Sequence, residues 1–257
     1  MFRSAVPSFA LLAPWFRRFA VLLALAALGG CATGPDPRDP LEPWNRRVSN
    51  FNEAADSLVL KPAAIAYREA VPPLARTGVN NFFGNLADAW SAANTLLQLR
   101  LHHAAENWLR FGVNTFFGLG GLLDVATDLG IERHRADAGQ TLGRWGVPTG
   151  PYLVLPILGP STVRDTVALP ADYWGDPLSA VKPGSLQTGL QALRIVEVRS
   201  NLLRASSVLD NAALDKYSFT RDAYLQRRQA LIWRPADGEG GHEGDNASDG
   251  DSEDFSR

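Results

Sequence analysis

Apolar residues recur along this chain at helical spacing, and Pro and Gly cut the pattern into pieces. Asp39-Pro40-Leu41-Glu42 reads as a helix start, with Asp at the N-cap, Pro at the first helical position and Glu closing a capping box. Beyond it Trp44, Val48, Phe51, Ala55 and Leu58 fall on one face, and Pro62 is expected to end the helix. Pro72-Pro73 opens the next unit. Residues 79–99 carry a single charge, Asp88, among Phe82, Phe83, Leu86, Trp90, Leu96, Leu97 and Leu99. Asn80, Asn81, Asn85 and Asn94 interrupt that run too often for a lipid-spanning helix. Residues 108–127 repeat the theme, with only Arg110 and Asp124 charged and with glycines at 112, 118, 120 and 121 expected to split the unit. Helices so weakly charged are either buried all round or in contact with lipid.

The pattern then changes. Residues 129–138 are polar and include His134. Ser161 is placed to cap a short helix that Pro170 ends, and residues 171–184 are rich in turn formers. Ser185 is placed to cap a helix with Leu186, Leu190, Leu193 and Val196 on one side. A last helical pattern covers roughly 211–233, with Leu214, Tyr217, Arg221, Tyr224, Arg228 and Leu231 on one face. Guanidinium forks suit phosphate oxygens, so Arg221 and Arg228, flanked by Tyr217 and Tyr224, are candidate headgroup contacts. The alternative is a packing helix whose arginines pair with Asp215 and Asp222.

Between these parts lies the least regular stretch, 139–165. Gly or Pro stands at 146, 148, 150, 151, 156, 159 and 160, so neither a helix nor a central strand is expected to run through it. Yet Tyr152, Leu153, Val154, Leu155, Ile157 and Leu158 are as apolar as a core. Loops are normally polar because their backbone groups need water. This one is therefore covered by helices, set against lipid headgroups, or used to line a cavity. Gly146, Gly150, Pro151, Tyr152, Leu153, Leu155 and Pro156 are its candidate lipid-path residues; a buried connector is the other reading.

The ends of the 257-residue chain give an address. Residues 1–30 form a targeting segment, with Arg3, Arg17 and Arg18 ahead of and beside an apolar core of ten residues at 19–28. That core is too short to span a bilayer, which takes about 20 residues. The only cysteine, Cys31, follows Leu28-Gly29-Gly30 in the pattern of a bacterial lipoprotein signal, so its thiol is expected to carry the lipid. Ala32 rather than Asp follows it, which suits the outer membrane. Residues 31–38 make a Pro/Gly tether, 39–234 a single domain, and 235–257 a tail with eight acids and few aromatics, expected to be disordered. Net charge is −2, and nothing in the distribution suggests nucleic acid.

Catalytic signatures are missing. His102, His103, His134 and His242 form no metal-ligand spacing, and Ser161 follows Gly159-Pro160 without the second glycine of a nucleophile elbow. Gly118-Leu119-Gly120 has Leu123 where a dinucleotide loop needs Gly. No cofactor or metal is expected, and the protein reads as a non-enzyme.

Gly139-Gln140-Thr141-Leu142-Gly143, Trp145-Gly146-Val147, the run Gly150 through Pro156, Leu158-Gly159-Pro160-Ser161 and Arg164-Asp165 together resemble the VacJ/MlaA lipoproteins. So do the segment 39–46 with Asn50-Phe51-Asn52, and Tyr217, Phe219 and the run 221–228. The resemblance covers about 39–233. It implies a mainly α, single helical domain, ring- or platform-like, with amphipathic helices lying in the membrane plane and an irregular Gly/Pro-rich apolar segment. It implies a lipid-anchored protein on the periplasmic side of the outer membrane. There it would remove mislocated phospholipids from the outer leaflet, pass them to a periplasmic lipid-carrier protein and associate with a trimeric porin. A structural envelope lipoprotein and a membrane-surface lipid hydrolase are the alternatives.

Overall fold

The computed structural model describes residues 36–233. Cys31, the targeting segment and the acidic tail lie outside the described residues. Helix α1 (Glu42–Ala55) runs through a π-turn (Asp56–Leu60) directly into α2 (Lys61–Ala70). Pro62 therefore does not end the helix. It sits in the first turn of α2, and the Lys61 N–H bonds back five residues to the Asp56 carbonyl. The wider turn leaves proline's missing donor where none is needed. Asp39 is likewise no N-cap: Leu41 holds that place, and Asp39 is fully buried.

Helices α3 (Pro73–Leu97) and α4 (Leu101–Phe116) pair along their length, joined by a tight turn with Leu99 at positive φ. A glycine-rich loop leads to the short α5 (Val125–Asp128), and an extended segment leads on to α6 (Ala138–Arg144). Then come strands β1 (Tyr152–Leu155) and β2 (Gly159–Thr162), an antiparallel hairpin pairing Tyr152 with Thr162 and Leu155 with Gly159. Helix α7 (Val163–Gly175), a 3₁₀ turn (Pro177–Ala180), α8 (Gly184–Ala212) and α9 (Lys216–Trp233) complete the fold. The stretch 139–165 is thus less irregular than its composition suggests: its first residues are helical and its apolar run is a two-stranded hairpin. Pro160 is tolerated because a two-stranded sheet has only edges. Thr162, not Ser161, caps α7, its side chain accepting from the Asp165 N–H, and the helix runs through Pro170. Asp172, two residues on, is held by the Trp90 indole at 2.8 Å and the Ala138 N–H at 2.8 Å. The Thr162 cap and the Asp172 bonds anchor the helix on either side of Pro170, whose interior placement costs about 3 kcal/mol.

Polarity is arranged inside out. The buried face of α4 is His103, Asn107, Arg110 and Asn114, and that of α3 includes Asn85, Asp88, Ser91 and Thr95, both at helical spacing. The outward positions are Leu101, Trp108, Leu109, Phe116 and Phe117. The polar stripes close on each other: Arg110 bonds Asp124 at 2.7 Å and Asp88 at 3.4 Å, and Asn107 clasps both backbone groups of His134. Burial pushes the Asp88 carboxyl up despite the arginines beside it. The weak charge of these helices leaves two readings for their leucines and aromatics, burial all round or contact with lipid. They are largely exposed, Phe116 at 83% and Phe117 at 75%. On α1 and the π-turn after it, Trp44, Phe51 and Leu58 are likewise exposed, and of that apolar face only Val48 is buried. Each such side chain forgoes about 1.5–3 kcal/mol by staying in water, so a surface built of them fits a non-aqueous surrounding. No described helix is long and apolar enough to cross a membrane.

Candidate functional site

Helix α9 closes over the hairpin, and its inner face is Tyr217, Arg221, Tyr224, Arg228 and Ile232, spaced by four, three, four and four residues. The hairpin is fixed from the other side by α1. Asn45 donates to the Tyr152 carbonyl at 3.1 Å and accepts from the Val154 N–H at 2.9 Å. Two turns later Asn52 donates to the Leu155 carbonyl at 2.9 Å and accepts from the Ile157 N–H at 2.7 Å. Each carboxamide reproduces the donor–acceptor pair of a peptide group, so α1 satisfies the edge of β1 as a third strand would. Tyr152, 1% exposed, meets Tyr217 and Tyr224 with ring centroids 6.2 Å apart in both cases.

Around these rings stands a framework of arginines and aspartates. Arg221 reaches Asp36 at 3.2 Å, Asp39 at 3.5 Å and Asp222 at 3.1 Å. Arg228 forks onto Asp137, the N-cap of α6, and meets Asp165 at 2.9 Å. Asp165 also accepts from Arg164, at 3.0 and 2.9 Å, and from the Tyr224 hydroxyl at 2.8 Å. Burial alone would raise the Asp165 carboxyl, but the bond and charge of Arg228 outweigh it and hold it below the usual range. Burial would lower Arg228, and Asp137 and Asp165 overcome that and raise it. The Tyr152, Tyr217 and Tyr224 hydroxyls are all pushed up, first by burial and then by neighbouring aspartates.

Close approach of these charges to α6 requires glycine at two places. A Cβ on Gly139 would stand 2.6 Å from both Arg228 and Asp165, and one on Gly143 2.8 Å from Arg164 and from Ile232. The Gly139-Gln140-Thr141-Leu142-Gly143 pattern is therefore a helix surface cut away for guanidinium groups.

Three cavities border the framework. One, of about 420 Å³, lies between the α6–β1 connection and the C-terminal half of α9 and is lined by Gly146, Gly150, Arg38, Arg164 and Arg228 among others. A second, of about 410 Å³, holds Tyr152 and Tyr217 together with Arg46 and Lys216 of α1 and α9. A third, of about 140 Å³, contains Leu155, Tyr224, Arg228 and Asp165. The residues singled out in the sequence are thus divided. Gly146, Gly150 and Arg228 meet in one cleft, while Tyr152 with Tyr217 and Leu155 with Tyr224 border the others. Pro151, Leu153 and Pro156 line none of the three, and Pro151 and Pro156 are exposed. Arg221 lines none of them either and is occupied by three carboxylates. Its partners include Asp222, as the packing alternative expects, whereas Asp215 pairs with Arg46 at 2.6 Å. Sequence reasoning passed over Arg38, Arg164, Asn45 and Asn52 as site residues. The recurrence of Asn at a seven-residue interval on an amphipathic helix was the available signal for the last two.

A model of the MlaA lipoproteins matches residues 37–231. The chain belongs to the MlaA lipoprotein family. Relatives include the intermembrane phospholipid transport system lipoprotein MlaA of Escherichia coli (strain K12), 36% identical over 223 residues, covering 84% of this chain and 88% of that one. The protein of the same name from Haemophilus influenzae is 34% identical over 230 residues, covering 82% of this chain and 88% of its own. A solved structure, described as the structural basis for maintenance of bacterial outer membrane lipid asymmetry, is 35% identical. It superimposes with a TM-score of 0.67 over 76% of this chain and 98% of its own. The family match at residues 37–231 thus spans α1 through most of α9, the hairpin among them.

Proposed function

We propose that this protein is the outer-membrane lipoprotein of an intermembrane phospholipid transport system. It removes mislocated phospholipids from the outer leaflet and hands them to a periplasmic lipid-carrier protein, beside a trimeric porin. The observation that carries this reading is the inverted polarity of the domain. A charged headgroup crosses hydrocarbon only at high free energy, and a polar interior enclosed by apolar helices lowers it. Exposed apolar helix faces, with no spanning helix among the described residues, fit a protein seated within one leaflet, where Cys31 would hold it by its lipid. The chemistry is binding and passage with no bond broken, so direction comes from the acceptor. The names of the Escherichia coli and Haemophilus influenzae relatives support the same reading.

The test is the phospholipid content of the outer leaflet in cells lacking the gene, read with a surface-restricted label. A rise, reversed by the wild-type gene but not by Cys31→Ala, is the expected result. An unchanged leaflet with a weakened envelope would favour a scaffold instead. Lysophospholipid released by the purified protein would favour a hydrolase.

A further inference from the structure

The 420 Å³ cleft beneath the α6–β1 connection has a composition that the transport reading does not by itself require. We propose that it is a phosphate station: it receives the phosphodiester of one phospholipid headgroup while the acyl chains stay outside. The proposal rests on the phospholipid-transport reading above and assigns a place in the molecule to its substrate.

Charge is the first argument. Arg38, Arg164 and Arg228 line the cleft, and none of the described lining residues is acidic. Their carboxylate partners, Asp36, Asp137, Asp165 and Asp222, stand behind them and lie outside the lining. Three guanidinium groups stand against four carboxylates, so the attraction comes not from net charge but from guanidinium N–H groups at the cleft surface, which can donate to phosphate oxygens.

Order is the second. The Arg164 side chain is 2% exposed, fixed by two bonds to Asp165 and one to the Thr149 hydroxyl at 3.2 Å. Arg228 is held by Asp137 and Asp165, and its Nε is buried with no hydrogen-bond partner. Guanidinium groups already immobilised lose little further entropy when a phosphate arrives. The counter-charges also keep the site weak. A transport path needs that, because a station must release what it binds.

Shape is the third. A volume of about 420 Å³ lies within the range of small-molecule sites, roughly 300–1,000 Å³, and suits a headgroup with its glycerol. Two full acyl chains exceed it. Val147, Leu225, Ile232 and Trp233 form the apolar part of the lining, and Val147 and Trp233 are exposed at 40% and 65%. The chains can leave along these side chains toward the apolar surface.

Gln229 provides the test, because it lines the cleft yet is exposed on α9 and bonds to none of the arginines' partners. Full-length protein in detergent is titrated by calorimetry with dihexanoyl phosphatidylglycerol, dihexanoylglycerol and inorganic phosphate. The phospholipid is expected to bind, and the glycerolipid lacking phosphate to bind at least tenfold more weakly. Gln229→Glu should weaken phospholipid binding about five- to tenfold and Gln229→Lys should tighten it by a similar factor, as a unit charge several ångströms away in a partly wet cleft does. A purely structural role for residue 229 would not follow the sign of the charge. In cells, Gln229→Glu at normal protein level should raise outer-leaflet phospholipid.

Binding that ignores the charge at 229, or that does not need the phosphate, overturns the assignment of the cleft. Inorganic phosphate binding as tightly as the phospholipid overturns the lipid source and makes the cleft a free-phosphate site. Both results leave the transport reading standing as long as the wild-type gene restores outer-leaflet composition. If the gene has no effect on that composition, the transport reading itself falls.

Discussion

Replacing Asn45 by Ala should loosen the join between α1 and the hairpin and do little elsewhere. Asn45 is fully buried, and its carboxamide makes three bonds: to Asp39 at 2.8 Å, to the Tyr152 carbonyl at 3.1 Å and from the Val154 N–H at 2.9 Å. Without it the Val154 donor is left on a covered strand edge, where an unsatisfied buried group costs about 1–3 kcal/mol. Asp39 keeps the Tyr217 hydroxyl and Arg221, so its loss is nearer the net worth of one bond, about 1 kcal/mol. With a similar figure for the Tyr152 carbonyl, the total is about 4 kcal/mol, a large share of the roughly 5–15 kcal/mol margin of an ordinary domain. Asn45→Asp should be worse at neutral pH, since it sets a second carboxylate 2.8 Å from the first. Burial and like charge raise the pKa of the new acid, so its destabilisation is present above that pKa and fades as pH falls. Urea unfolding of the detergent-solubilised protein at pH 7 and pH 5 measures both variants. A loss under about 1 kcal/mol for Asn45→Ala at unchanged m-value would refute the claim that the amide stands in for a third strand.

Other expectations concern the arginine framework and the apolar surface. Gly139→Ala would put a methyl 2.6 Å from Arg228 and Asp165, forfeiting part of a charge-assisted bond of about 1.5–3 kcal/mol against a helix-propensity gain near 1 kcal/mol. A net loss of up to about 2 kcal/mol should shrink in an Arg228→Gln background, where only Asp165 still crowds the methyl, and an additive double-mutant cycle would sink the explanation. Asp165, held below the usual carboxylate range, contributes stability above about pH 4 that is lost as pH falls through its folded pKa. Melting temperatures of Asp165→Asn should therefore be lower than wild type at pH 7 and decline less steeply in acid; parallel pH curves would contradict this. Phe117→Asp, at a site 75% exposed, should leave unfolding in detergent within about 0.5 kcal/mol of wild type while weakening membrane association, measured by vesicle flotation. A charge in hydrocarbon is disfavoured by about 2.5–3.5 kcal/mol, and unchanged flotation would remove this face from the membrane.

The elements were legible in the sequence wherever a helical period was strong: the Pro72-Pro73 start of α3, the split after α4 and the α9 face all stand near their expected places. What pattern could not give was direction. An apolar stripe is normally read as the side that packs, but on α1 and α4 the asparagine and arginine positions pack and the aromatics face out. Periodicity is the same for both arrangements, and only the partner medium decides. Prolines misled for a related reason: Pro62 and Pro170 are read as stops from local cost, whereas a π-turn and anchored helix ends absorb them. The hairpin was hidden because half of its edge bonding comes from asparagine side chains more than 100 residues earlier in the chain. Of the arginines singled out, Arg228 borders a cleft and Arg221 does not, a distinction that depends on which carboxylates surround each and so on tertiary contacts alone.

The central claim is that this domain carries intact phospholipid out of an outer leaflet. Its most direct test is asymmetric vesicles with a fluorescent phospholipid confined to the leaflet that models the cell exterior, bearing the lipidated protein in the opposite leaflet. A soluble lipid-binding protein is supplied as acceptor. Loss of fluorescence from that leaflet, dependent on both the protein and the acceptor and with the lipid recovered chemically unchanged, is the predicted result. Fluorescence that stays in place in the presence of folded, membrane-seated protein would contradict it.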